Sequence, residues 1–239
     1  MVKGEGLILD SSRPGVLRLR LDRGRRRNAL VPGLVARLRD AFRTAGERVV
    51  ILDSADPAVF CAGADLDLPD QVRAELSDEL YALYEQMAAH PRPVIAVVEG
   101  PAVGGGAQLA LVADLRVGGP GARFRFPGVG HGLAVGAWGL PALVGAGRAM
   151  DLCLTMRWVA ADEAARIGLL TRLSDTPGDE ALALADELLR CDRDAIRRVK
   201  AAIRDPALFD RLAAERAGNR RAWDGSVAFL QQERGAARG

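Results

Sequence analysis

The chain has 239 residues, 49% hydrophobic and 27% charged, with a formal net charge of +2; this suits a soluble globular protein with a substantial core and argues against nucleic acid or a membrane surface as partner. Three widely spaced cysteines, Cys61, Cys153 and Cys191, point to free thiols in a reducing compartment rather than to a disulfide framework. The opening Met1-Val2-Lys3-Gly4-Glu5-Gly6 lacks the pattern of a secretory leader, and no apolar run reaches the roughly 20 residues that span a bilayer, so a cytoplasmic protein without membrane insertion is expected.

Residues 7–9 and 16–21 alternate apolar and polar side chains about Ser12-Arg13-Pro14-Gly15, the pattern of a β-hairpin. Residues 31–42 carry Leu34, Val35, Leu38 and Phe42 at helical spacing, and 49–52 read as a short buried strand. Residues 70–89 predict an amphipathic helix with Leu76, Leu80, Leu83 and Met87 on one face, ending before Pro91. Residues 94–98 form a second buried strand, 109–112 a helix and 115–117 another strand. The alternation implies an α/β core with parallel strands. The glycine-rich span 118–145 reads as a loop around a site. Beyond Thr176-Pro177-Gly178 the chain predicts helices at 181–189, 195–203, 206–217 and 225–234.

Two small-residue turns carry the chemistry. Phe60-Cys61-Ala62-Gly63-Ala64-Asp65-Leu66 and Gly104-Gly105-Gly106-Ala107-Gln108 each lie between an apolar strand and a helix. Backbone without bulky side chains lets a ligand approach closely. The first N–H groups of a helix have no partner within it, so such turns present donors to an oxygen bearing negative charge. Two of them converging on one carbonyl would make an oxyanion hole. No aspartate or glutamate stands where an acid and a base would be sought.

Other motifs are excluded. A phosphate loop needs lysine after glycine, and neither Lys3 nor Lys200 has it. Gly128-Val129-Gly130-His131-Gly132-Leu133 has the wrong final spacing for a dinucleotide fingerprint. No serine occupies a nucleophile elbow, and His90, His131 and the scattered cysteines do not make a metal site. Arg23, Arg25, Arg26 and Arg27 form a basic cluster without the interleaved aromatics of a nucleic-acid surface. The cluster is either a solvated turn or a seat for a phosphate-bearing small molecule.

Four segments fall in order: Arg27-Asn28-Ala29-Leu30, the turn from Phe60 to Leu66, the run from Pro93 to Gly106, and Glu163-Ala164-Ala165-Arg166-Ile167-Gly168-Leu169. Together they resemble the enoyl-CoA hydratase/isomerase (crotonase) family over about residues 7–173. The resemblance implies an α/β fold, a crotonase-like spiral of ββα turns over residues 1–176. It also implies a C-terminal helical trimerisation region over 177–239, in a homo-trimer or hexamer. The implied ligand is a coenzyme A thioester, with no other cofactor and no metal. Its carbonyl would sit between the N–H groups of Ala62 and Gly105. Its nucleotide and pantetheine arm would follow Ala62, Ala64, Asp65 and Leu66, with Arg25 and Arg27 approaching the phosphates.

Hydratases of the family place glutamates two residues after the triple glycine and directly after the proline of Phe-x-x-Pro; Gln108 and Gly128 stand there in this chain. A glutamine amide orients water but takes no proton near neutral pH, and glycine does neither; each lost acid–base role costs about 10²–10⁴-fold. The expectation is a protein of fatty-acid or lipid metabolism that binds acyl-CoA with weak or no hydratase activity. Restoring both glutamates would then restore hydration. The alternative is an active lyase or isomerase with another base. His131 either turns inward to serve as one or lies in a subunit contact. Cys61 is expected to point away as a small hydrophobe, and Asp114 to cap or edge a strand. Trp138 either walls the acyl pocket or belongs to the core, and Gln108 either hydrogen-bonds the thioester or fills space.

Overall fold

The computed structural model describes residues 2–4 and 6–223. Strands β1 (Val2–Gly4), β2 (Leu7–Asp10) and β3 (Val16–Leu21) form an antiparallel meander. The Ser12–Gly15 turn predicted between the last two is closed by Gly15 at φ +78°, a conformation only glycine adopts without strain. Then follow α1 (Pro32–Thr44), β4 (Val49–Ser54), α2 (Asp70–Ala89), β5 (Val94–Val98), β6 (Pro101–Val103), α3 (Gly105–Val112), β7 (Leu115–Gly118) and β8 (Arg123–Arg125). The chain continues through α4 (Leu140–Val144), α5 (Ala146–Thr155), β9 (Val159–Ala160), α6 (Ala161–Arg166), β10 (Arg172–Leu173), α7 (Pro177–Arg190), α8 (Arg193–Ile203) and α9 (Leu208–Trp223).

The large sheet has the order β1-β2-β3-β4-β5-β7-β10, parallel from β3 onward. A small sheet, β6-β8-β9, stands beside it. Successive turns of the spiral give one strand to each sheet: β5 then β6, β7 then β8. The turn after β4 takes part through a Cys61–Ala102 bridge to β6. Alternation along β4 divides the core. Val50 and Leu52 join the main cluster with Leu38, Leu80 and Leu109, while Val49 and Ile51 face Ala181, Leu184 and Ala185 of α7. Because α7 covers the outer face of the sheet and Leu212 of α9 enters the main core, these two helices are integral to the packing. By contrast α8 buries none of its residues, leaves Val199 and Ile203 55% and 79% exposed, and is tied down by Lys200 Nζ, 2.6 Å from Asp114. Asp114 also accepts the Val94 N–H at 2.8 Å, a structural role as expected.

Helix α2 and strand β5 occupy the predicted ranges. The span 118–145 is not one loop: it contains β8, a 3-10 turn at Val129–His131 and α4, because Phe124, Phe126 and Leu140 are fully buried and pull it onto the core. Strand β1 and helix α5 have no counterpart in the sequence reading. The helix expected at 225–234 lies outside the described residues. Among those residues no helix is long and apolar enough to cross a membrane, and no three or more His, Cys, Asp or Glu group to hold a metal ion.

Candidate functional site

The two glycine turns meet because the backbone leaves no room between them. Val103 donates its N–H to the Cys61 carbonyl at 2.9 Å, and Phe60 and Cys61 donate to the Pro101 carbonyl. A Cβ on Gly63 would lie 2.7 Å from the Val103 carbonyl oxygen and 3.3 Å from the Gly105 nitrogen, and one on Gly106 would overlap the Cys61 carbonyl. Gly63 also has φ +85°, so both space and conformation demand glycine there.

A buried strut sets the first turn. Arg27 and Asn28 both have φ +52°, a left-handed pair that costs free energy outside glycine. Asn28 is fully buried; its Oδ1 accepts the Arg23 N–H at 2.7 Å, and its Nδ2 donates to Ser54 Oγ at 2.7 Å and to the Phe60 carbonyl at 2.9 Å. This holds the Arg27 carbonyl against the Ala62 N–H at 3.0 Å. Replacing Asn28 by Ala strips the Arg23 N–H and the Phe60 carbonyl of their partner, at about 1–3 kcal/mol each before relaxation, while Ser54 Oγ keeps its bonds to Asp56. A loss of at least about 2 kcal/mol in a urea melt is expected; a loss under half of that contradicts the strut.

That contact corrects one expectation. The Ala62 N–H is already bonded to Arg27 and cannot also serve a ligand. The neighbouring donor is different. Leu30 donates to Gly63 and Asp65 donates to Leu30, so the Ala64 N–H points away from this ladder and has no partner among the described residues. Gly105 opens α3, where the first N–H groups lack helical partners. Ala64 and Gly105 both line one cleft of about 160 Å³.

Ala62, Gly63, Leu66, Arg73, Ser77, Leu80, Tyr81, Gln108, Gly128, His131, Asn219 and Trp223 share that lining. Gln108 is 4% exposed, and its Oε1 accepts Trp138 Nε1 at 2.7 Å and the Gly136 N–H at 3.1 Å. The carbonyl end of the amide is thereby anchored in the wall. Trp138 is 3% exposed and stacks on Tyr84, so it belongs to the core. His131 is brought to the cleft. At Gly128 a side chain has no room, because a Cβ would lie 2.6 Å from the Leu133 carbonyl oxygen and 2.8 Å from the Val135 side chain. No aspartate or glutamate is part of the described lining.

Asp65 is engaged within its own turn, with Oδ1 accepting the Asp67 N–H at 3.1 Å and Oδ2 4.0 Å from Arg23, and it is not part of the described cleft lining. Leu66 is half exposed at the rim. Arg25 and Arg27 are exposed beside the turn, and Arg26 pairs with Asp67 at 3.3 Å. Cys61 is fully buried, its Sγ donating to the Asn28 carbonyl, and burial pushes its thiol up to about 12, which makes it inert, as expected.

Sequence reasoning missed α9 as a wall of the site. Glu215, 8% exposed, accepts Tyr81 Oη–H at 2.7 Å, the Gly136 N–H at 3.0 Å and the Trp138 N–H at 2.9 Å. Gln108 and Glu215 thus share the Gly136 donor. Burial raises the Glu215 carboxyl above its ordinary value, opposed by these hydrogen bonds. Burial, then the facing Glu215, raise the Tyr81 phenol. Asn219 completes the network, its Nδ2 donating to Tyr81 Oη at 2.8 Å and its Oδ1 accepting the Ala134 N–H at 2.8 Å. Leu208, Leu212, Glu215 and Asn219 fall at i, i+4, i+7 and i+11. A carboxylate and an amide continuing an apolar helical stripe were the available signal.

The model of the enoyl-CoA hydratase/isomerase family matches residues 11–236. A probable enoyl-CoA hydratase of Mycobacterium tuberculosis is 39% identical over 201 residues, covering 82% of this chain and 81% of that protein. Among solved structures, an enoyl-CoA hydratase/isomerase from Bordetella parapertussis, described as putative, superposes with TM-score 0.86 at 26% identity, covering 99% of this chain and 100% of that one. A monofunctional enoyl-CoA isomerase from M. smegmatis superposes at 0.72 with 31% identity, covering 87% and 94%. With its paired sheets, its spiral connectivity and a family match over nearly its whole length, the chain belongs to the enoyl-CoA hydratase/isomerase family and has the crotonase fold.

Proposed function

We propose that the cleft binds an acyl-CoA thioester, its carbonyl held by the N–H groups of Ala64 and Gly105, and that hydration is weak or absent. One observation carries this reading: the Ala64 and Gly105 N–H groups, without partners among the described residues, belong to adjoining turns that line one cleft, and its described lining holds no carboxylate. Preorganised donors of this kind are worth about 2.7–4 kcal/mol each at a developing oxyanion. Hydration also needs a group to take a proton from water and one to deliver a proton to Cα. Gln108 and Gly128 supply neither, and two missing roles cost about 10⁴-fold or more. Arg25 and Arg27, exposed beside the turn, suit the phosphates of the coenzyme. The exposed Val199 and Ile203 of α8 support association into a homo-trimer or hexamer. Service as a carrier or regulator in fatty-acid or lipid metabolism follows.

A second reading rests on His131, which lines the cleft and is of the residue type that titrates near neutrality. It makes the protein an active lyase or isomerase with His131 as base. Calorimetry with acyl-CoA and a steady-state assay with enoyl-CoA separate the two. The carrier reading predicts binding with turnover at least about 10⁴-fold below an ordinary hydratase. Ordinary turnover that disappears in His131→Ala establishes the second reading instead.

A further inference from the structure

We infer that the far end of the cleft selects an acyl group ending in a carboxylate; this rests on the acyl-CoA reading and narrows its substrate class. Arg73, on the first turns of α2, is 6% exposed and lines the cleft. Its guanidinium stands 5.3 Å from the centre of the Trp223 ring and pairs through Nη2 with Asp70, whose side chain is 51% exposed. Its Nε is buried without a hydrogen-bond partner among the described residues. The indole Nε1 of Trp223, another cleft residue, is in the same condition. Both groups are donors only. Two buried orphan donors side by side are costly, and a carboxylate, with two acceptor oxygens and the matching charge, satisfies both at once. Glu215, the buried carboxylate of α9, is taken up by Tyr81, Gly136 and Trp138.

The placement suits a chain's distal end. Leu80 and Tyr84 of α2 lie against Gly105, where the thioester carbonyl would sit. Arg73 is seven residues before Leu80, about 10 Å along the helix axis. A medium-length acyl chain running along α2 from Gly105 brings its last carbon to the guanidinium. A plain fatty chain of that length ends a methyl group against it and leaves both donors unpaired.

The test is calorimetry on the full chain with adipyl-CoA and suberyl-CoA against hexanoyl-CoA and octanoyl-CoA. The carboxylated thioester of each pair is expected to bind at least about tenfold more tightly, since hydrogen bonds to a charged partner are the strong ones. Arg73→Met should abolish the preference, with binding of the apolar thioesters kept or improved. Trp223→Phe, which keeps the ring and removes the N–H, should reduce it. Equal or tighter binding of the apolar thioesters by the wild type overturns the inference alone, whether or not either variant folds, and so does a preference that survives Arg73→Met. If no thioester binds, the acyl-CoA reading itself fails and takes this inference with it.

Discussion

Replacing Glu215 by Ala is expected to lower stability by about 3–5 kcal/mol, read as a shift of the urea midpoint at unchanged slope. The carboxylate accepts from Tyr81, Gly136 and Trp138; its removal strips the Trp138 N–H of its acceptor and leaves Tyr81 only the Ala134 carbonyl at 3.4 Å, while Gly136 keeps Gln108. A loss below about 1 kcal/mol, the range of an ordinary surface change, contradicts this account. The pH dependence carries a sign. Burial raises the Glu215 carboxyl above its ordinary 4.5, so the folded chain holds that proton more tightly than the unfolded one. The associated stabilisation is fully present below pH 4.5 and is lost as pH rises through the raised value. Compared with Glu215→Gln, which cannot ionise, the wild type should therefore lose ground from pH 4.5 toward neutrality. Carboxyls held below their ordinary range elsewhere, such as Asp78 and Asp205, cancel in that difference because both proteins keep them.

The second large effect belongs to Gly106. Alanine at this helical position would ordinarily favour the helix by about 1 kcal/mol. Here its Cβ overlaps the Cys61 carbonyl, and backbone on both sides must move, so sterics outweigh propensity. The glycine turns part, and the Ala64 and Gly105 donors separate. Misplacing a reacting group by about 1 Å costs on the order of 10²-fold, and a rise of that order in the acyl-CoA dissociation constant is expected for Gly106→Ala. Circular dichroism at the binding temperature shows whether the chain stays folded. Binding within about threefold of wild type in a folded variant breaks the link between turn spacing and ligand.

Much of the frame was legible because it depends on local pattern. The stripe of Leu76, Leu80, Leu83 and Met87 and the stop before Pro91 gave α2 its ends, and the apolar run 94–98 gave β5. The small-residue turns announced the site for the same reason: a close approach of backbones needs glycine, and glycine is visible in a sequence. What stayed hidden depends on distant partners. Which amide of the 60–66 turn is free is decided by the Arg27 carbonyl, held by a left-handed Arg27-Asn28 pair more than thirty residues away. The Ala62 amide, expected to meet a ligand, is therefore already engaged by that carbonyl. The wall formed by α9 joins Glu215 and Asn219 to Tyr81, a pairing across more than 130 residues that no local period displays.

Gly128 makes the same point. The sequence presents it as a lost glutamate, to be restored together with Gln108. The Leu133 carbonyl and the Val135 side chain occupy the space a side chain would need. Gln108→Glu, by contrast, keeps an acceptor for Trp138 and Gly136. The two positions are not equivalent, and the double restoration requires the 133–135 segment to move.

The central claim is that two main-chain amides grip one thioester carbonyl. Isotope-edited infrared difference spectroscopy of an acyl-CoA carrying a carbon-13 label at that carbonyl reads this bond directly. The account predicts that the labelled stretch moves to lower frequency on binding than in water, because two fixed donors replace mobile solvent. A band that stays put or moves up in the bound state means the carbonyl lies elsewhere.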